Sequence, residues 1–265
     1  MARSVDWVPN DVDVRAPSAA RVYDYLLGGA HNFEVDRNVG KKVLEVQPNG
    51  RQIARSNRAF LNRAVRFLVD QGITQFLDLG SGIPTVGNVH EVAQAVVPGS
   101  RVVYVDHDAV AVAHSQMILQ GNEYAAVVDA DLCQPDAVLN DPTVRRFLDF
   151  DRPVGLLMVA VFHFVPDEKK PGEIVARYVS ALPSGSFVAL SHLTADRMPA
   201  EAAAVVEAMK HSRDPMFFRS YDEVAPLFDG LDLVEPGVVS APYWHAEKGD
   251  PDTQEGVYAG VGRVR

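Results

Sequence analysis

The hydrophobic rhythm of the chain changes near residue 70. Before that point apolar positions recur at helical spacing. Ala19 to Leu27 reads as a helix, with Ser18 as its cap and Gly28-Gly29 as its stop. A second helix is expected over Val39 to Val46. Phe60, Leu61, Ala64, Val65, Phe67 and Leu68 form the stripe of a third, with Arg58, Arg63 and Arg66 off it. After Gly72 short apolar runs alternate with amphipathic ones. Strands are predicted at residues 75–78, 101–106, 125–128, 153–159, 186–191, 231–234 and 256–264. Helices are predicted at 86–96, 109–119, 173–182, 199–210 and 221–228. The run from Pro153 to Val159 is apolar throughout, as a parallel strand covered on both faces requires. The pattern predicts an α/β fold: a doubly wound, Rossmann-like sheet of seven strands with an N-terminal helical cap. The expected division is a cap or lid over residues 1–70 and a core over 71–265. Residues 1 to about 17, with Pro9 and Pro17, read as a loosely ordered polar lead.

Composition narrows the function. A formal charge of −10 argues against a general nucleic-acid footprint, which needs a basic face. Cys133 is the only cysteine, so neither an intramolecular disulfide nor a cysteine metal site is expected. The N-terminus lacks a signal-peptide core, and no apolar run is long enough to span a membrane. These features predict a cytoplasmic protein with a small-molecule partner, no nucleic acid, no membrane and no metal.

The chemistry concentrates at the predicted strand ends, where open parallel sheets bind ligands. The first strand runs into Asp78-Leu79-Gly80-Ser81-Gly82-Ile83-Pro84-Thr85, and Asn88 to Glu91 reads as a capping box for the next helix. A strand, a glycine turn and a helix start offer bare backbone to a ligand. A dinucleotide site wants a third glycine and room for a pyrophosphate on the helix. Pro84 occupies that region and Gly87 is out of register, which disfavours NAD(P) or FAD. Asp78 suits a ligand with an amino group. Asp106, ending the second strand, can accept from a ribose diol, or serve only as a solvated acid or helix cap. Asp131, after the third strand, can accept from an adenine amino group, or be a surface acid. An amino acid end, a ribose and an adenine together describe S-adenosyl-L-methionine, whose positive sulfonium also suits an acidic site.

In these stretches the sequence resembles class I S-adenosylmethionine-dependent methyltransferases. It is also similar, more narrowly, to an actinobacterial family first catalogued as a domain of unknown function. The narrower likeness rests on Arg21 to Gly29, Asn32-Phe33, Asp36-Arg37, Ser56 to Phe60, Asp78 to Thr85, Tyr104 to Asp106 and Asp129 to Leu132. It departs from many class I members at Ile83-Pro84-Thr85, where they carry another glycine. The resemblance implies a methyltransferase whose acceptor is unassigned, with a cofactor site of Asp78, Gly80, Ser81, Gly82, Thr85, Asp106, His107, Asp131, Leu132 and Val161. Tyr23, Asn32 and Phe33 join it if the N-terminal helices fold over the cofactor as a lid. The alternative for that segment is a helical layer with Phe33 in the core.

No metal or nucleophile triad is needed for transfer from a sulfonium, so catalysis would rest on positioning and water exclusion. His163 and His192 end neighbouring strands, and either is a candidate general base or a structural histidine. Phe162 and Phe164 can stack on an acceptor or fill the core. The arginines from Arg51 to Arg66 can steer an acidic acceptor or coat an exposed helix face. Two other functions stay open: a cofactor-binding regulator without transfer activity, and a nicotinamide-dependent oxidoreductase.

Overall fold

A computed structural model describes residues 15–84, 87–247 and 255–265. Most of the polar lead and the candidate Thr85 lie outside the described residues. Three helices open the described chain: α1 (Ala19–Leu27), α2 (Glu34–Val46) and α3 (Gly50–Asp70). Then follow β1 (Gln75–Leu79), α4 (Val89–Val96), β2 (Arg101–Asp106), α5 (Ala109–Ile118) and β3 (Ala125–Asp129). The middle contains α6 (Pro135–Leu139), α7 (Pro142–Phe147), β4 (Gly155–Val159), α8 (Pro171–Val179) and β5 (Phe187–Leu193). The last part carries α9 (Pro199–Met209), α10 (Tyr221–Val224), β6 (Leu231–Leu233), β7 (Val239–Ser240) and β8 (Val257–Val264). The sheet order is β3-β2-β1-β4-β5-β8-β6, with β7 paired to β8. The first five strands pair in parallel, and β8 runs antiparallel to β5 and β6. All seven strands read from the sequence are present; the eighth, β7, has only two residues.

Side-chain alternation explains why both sheet faces are covered. Phe76, Val102, Leu157 and Ala189 pack on one face with Phe60, Ala64, Val65 and Leu68 of α3. Leu77, Val103, Leu156 and Val188 pack on the other with Val138, Val144 and Tyr178. The α3 stripe is therefore a layer of the sheet's own core. Helices α1 and α2 pack instead with α9, through Val22, Val43, Val205 and Met209. The same alternation decides the direction of Asp78. It shares the Phe76 side of β1 and so looks toward α3.

The expected caps form. Ser18 accepts from the backbone N–H of Arg21 at 3.4 Å, and Gly28 closes α1 in the left-handed region at φ 86°. Glu91 accepts from the backbone N–H of Asn88 at 2.8 Å. The arginine stretch is not an exposed steering face. Arg63, 3% exposed, donates to the carbonyls of Trp244 (2.8 Å) and Ala241 (2.7 Å). Arg51 donates to the carbonyls of Tyr25 and Leu26 at the end of α1 (both 3.0 Å). Arg66 pairs with Glu247 at 3.0 Å. Replacing Arg63 by Leu strips two hydrogen bonds and leaves Trp244 O without its partner, while Ala241 O keeps the Trp244 N–H at 3.3 Å. We expect a loss of about 2 kcal/mol, read from urea unfolding midpoints.

Candidate cofactor site and adjoining cavity

The strand order reverses between β1 and β4, and a cavity of about 200 Å³ opens at their carboxyl ends. Its wall includes Asp78, Gly80, Ser81, Gly82, Asp106, His107, Asp131, Leu132, Val161 and Tyr23 from the predicted set. Gly80 and Gly82 adopt φ of 67° and 64°, a region that side chains disfavour. A Cβ on Gly80 would lie 2.1 Å from Val161 Cγ2, so this glycine lets the β1 turn close on the β4 loop. A Cβ on Gly82 would meet nothing within 4 Å, so the turn leaves open space on its ligand side.

Asp106 organises that turn. One carboxylate oxygen accepts from the Gly82 N–H at 2.7 Å, the other from the Asp108 N–H at 2.8 Å. Each oxygen keeps a further lone pair for a ligand hydroxyl. Burial raises the Asp106 pKa above the usual carboxylate range, against those two bonds. Burial pushes Asp78 up as well, to about 7, while the nearby Arg58 guanidinium pulls it down. Arg58 also lines the cavity, donating to Gly87 O (3.2 Å) and Asn88 Oδ1 (3.1 Å). Its Nε is buried without a partner among the described residues, as is Ser81 Oγ. Asp131 accepts from the Cys133 N–H at 2.8 Å and lies 3.8 Å from Lys169, which shares the wall.

Asn32 and Phe33 do not line this cavity. Asn32 donates to Asp24 (2.7 Å) and to Gly29 O (3.0 Å), holding the α1–α2 turn. Phe33 packs with Ile83 and Val110, under the Arg21 guanidinium. Both sit in the turn between α1 and α2, where the short local spacing to Asp24 and Asp36 ties them. Tyr23 does face the cavity. Its hydroxyl donates to Ala54 O (3.0 Å) and accepts from Asn57 Nδ2 (3.1 Å), while Asn57 Oδ1 accepts from Ser191 Oγ (2.6 Å). Ser191 Oγ accepts in turn from the Ala160 N–H at 2.9 Å. That chain holds Ala160 at φ 55°, a strained conformation at the end of β4 of the sort found at working sites.

His163 is 3% exposed and lines the wall; burial, His192 and Arg219 depress its pKa well below the usual value, so it is neutral at pH 7. Both ring nitrogens of His192 have partners. Its Nδ1 donates to Leu193 O at 2.7 Å and its Nε2 accepts from Arg219 at 2.8 Å, which fixes its tautomer. Phe162 is fully buried, whereas Phe164 lines the cavity.

Asp214 closes one side. It lies 3.2 Å from His107 Nε2 and accepts from the Ala19 N–H at 3.0 Å, tying the end of β2 to the start of α1. Asp214 raises the His107 pKa to about 9, so the pair is charged at neutral pH. Its stabilising effect is complete below about pH 6.5 and is lost as pH rises through about 9. With the His107 side chain 54% exposed, water screens the pair. His107→Ala should therefore weaken binding of S-adenosylhomocysteine by no more than about fivefold in calorimetric titration, and only below pH 9.

A second, smaller cavity of about 80 Å³ adjoins the first. The two share Ala19, Tyr23, Asn57, Ala160, His163 and Phe164. No metal-binding cluster exists among the described residues, and none of their helices is long and apolar enough to cross a membrane.

A parallel sheet that reverses at β1/β4, an antiparallel strand beside β5, and an acid at each of the first strand ends define the class I methyltransferase architecture. The chain belongs to the S-adenosyl methyltransferase family, whose model matches residues 5–265. Its cofactor is accordingly S-adenosyl-L-methionine and not a nicotinamide. A DUF574 family protein from Streptomyces avermitilis superposes with a TM-score of 0.92 at 39% identity, covering 96% of this chain and 99% of that one. A candidate methyltransferase from Thermobifida fusca gives 0.91 at 39% identity, covering 98% and 99%. Human N-acetylserotonin methyltransferase, solved with S-adenosylmethionine, gives 0.50 at 16% identity over 91% of this chain and 62% of that one, which reflects the fold alone. Comparison with the curated proteins gives no match.

Proposed function

We propose that the first cavity holds S-adenosylmethionine by its two ends and that the acceptor is a small molecule. Asp78 and Arg58 line the same cavity and feel each other's charge, so together they offer an anion and a cation to an amino acid's ammonium and carboxylate. Asp106 takes the ribose hydroxyls, and Asp131 with Leu132 borders the adenine. This juxtaposition of a zwitterion receptor and a diol acceptor in one cavity carries the reading. The orphaned Ser81 Oγ and Arg58 Nε are the polar atoms a ligand of this kind would satisfy.

When bound, the cofactor supplies an electrophilic methyl group on a positive sulfur. The chain's contribution is to orient and to exclude water. Tyr23, Asn57 and Ala160 form a rigid, hydrogen-bonded wall where the contents of the two cavities meet. His163, neutral in the same wall, is placed to take a proton from an acceptor. Helices α1 and α2 act as the cap, with Tyr23 as the residue it contributes, while α3 belongs to the core layer. We place the reaction in the cytoplasm, which the single cysteine fits. An actinobacterial source is part of the same reading, supported by the Streptomyces and Thermobifida relatives.

Calorimetric titration of S-adenosylhomocysteine should give one site per chain, weakened about 10-fold or more in Arg58→Met. An unchanged affinity in that variant contradicts the assignment. Transfer from methyl-labelled cofactor to a panel of metabolites tests turnover, and a complete absence of transfer would favour a regulatory cofactor binder.

A further inference from the structure

From the walls of the second cavity we infer that the methyl acceptor is a compact, uncharged, apolar alcohol or phenol, bound with its hydroxyl at His163. This rests on the cofactor occupying the first cavity. The two cavities differ sharply in chemistry. The first is lined by Arg58, Asp78, Asp106, Asp131, Lys169 and Asp214. No Asp, Glu, Lys or Arg lines the second among the described residues; its walls are mostly apolar, with Val22, Leu26, Val43, Ile53, Met209 and Phe218, and the neutral amide of Gln47 is its one polar side chain away from the junction. An ion moved there would lose its hydration and gain no counter-charge, so carboxylate, phosphate and ammonium acceptors are disfavoured. Its volume, about 80 Å³ against about 200 Å³, calls for a molecule much smaller than the cofactor.

The polar atoms at the junction decide the functional group. Tyr23 and Asn57 already satisfy each other, Ala54 O and Ser191. Gln47 lines only the second cavity, away from the cofactor; His163 lines both, and its Nδ1 is buried with no partner among the described residues. A neutral imidazole has one donating and one accepting nitrogen. A hydroxyl both donates and accepts, so it complements His163 in either tautomer. An amine basic enough to be protonated fails on the charge argument.

The test uses 1-naphthol, naphthalene and 1-naphthoate in equilibrium dialysis against the wild-type protein, with and without saturating S-adenosylhomocysteine. We expect 1-naphthol to bind at one per chain in the presence of S-adenosylhomocysteine, and 1-naphthoate to bind at least 10-fold more weakly. Ala54→Leu and Val43→Phe each fill the second cavity without touching the first. Both should weaken 1-naphthol at least 10-fold and leave S-adenosylhomocysteine affinity within about threefold, which also shows that they fold. His163→Leu should weaken 1-naphthol and leave naphthalene unchanged. The inference is overturned if 1-naphthol does not bind the complex, if filling the cavity leaves its binding unchanged, or if 1-naphthoate binds equally well. Failure of S-adenosylhomocysteine to bind the wild type would instead overturn the cofactor assignment, whatever 1-naphthol does.

Discussion

Asp78→Asn should make the protein more stable and a poorer binder at once. Burial holds the Asp78 pKa at about 7 in the folded chain, against an ordinary value of 3.8. The folded state therefore keeps a proton on Asp78 where the unfolded chain has lost it. Wild-type stability falls as pH rises from about 4 to 7 on this account, and the full cost is present above 7. A displacement of about three pH units, at about 1.4 kcal/mol each, bounds the gain for the neutral amide at about 4 kcal/mol at pH 8. The gain should vanish near pH 4. The same substitution removes the anion that pairs with the cofactor's ammonium, so affinity for S-adenosylhomocysteine should drop 10- to 100-fold. Wild-type affinity should itself tighten as pH rises through 7, because only ionised Asp78 pairs with an ammonium. Urea melts and titrations at pH 5 and pH 8 check both halves. A variant destabilised at pH 8, with unchanged affinity, would make Asp78 a structural acid.

Asp106→Ala should cost the most affinity. Its carboxylate both receives the ribose and holds the Gly82 N–H at 2.7 Å, so removal strips the ligand partner and loosens the turn around it. Two charge-assisted hydrogen bonds at roughly 1.5–3 kcal/mol each give a loss of 100-fold or more. Asp106→Asn keeps the shape and one acceptor oxygen, so it should recover part of that loss. The fold should survive, because the β1 and β2 ladders do not use this side chain. Calorimetry with S-adenosylhomocysteine, alongside thermal melts, separates the two effects. Equal affinity in wild type and Asp106→Ala would remove Asp106 from the site.

The strands were legible because parallel strands buried on both faces carry near-continuous apolar runs; β2 falls at Arg101–Asp106, as read. The misses have local causes. Helices α6 and α7 have five and six residues, each opened by a proline, too short to show a helical period. Helix α2 starts at Glu34, earlier than read, because Asp36 caps it through the Phe33 N–H at 2.8 Å and no apolar stripe marks its first turn. The strand-end acids were legible as well, since topology alone brings them together. Arg58 was not. On a helix with several arginines a solvated face is the default reading, and only the packing of α3 over β1 brings its charge to the cavity that Asp78 lines. Asp214 comes from a loop and Lys169 from a single 3-10 turn, both distant in sequence, with no motif to mark them. For Asn32 and Phe33, bulky and polar groups beside two glycines suit a moving loop in the sequence, and the sequence does not show the hydrogen bonds that hold this turn in the structure. Asp24 and Asp36 instead pin that loop in place.

A crystal structure of the protein with S-adenosylhomocysteine tests the cofactor site most directly. Ribose hydroxyls are expected within hydrogen-bond distance of Asp106, the amino acid end between Asp78 and Arg58, and the sulfur turned toward Tyr23 and His163. Adenosine seated in the apolar second cavity, or an amino acid end away from Asp78 and Arg58, would contradict this assignment.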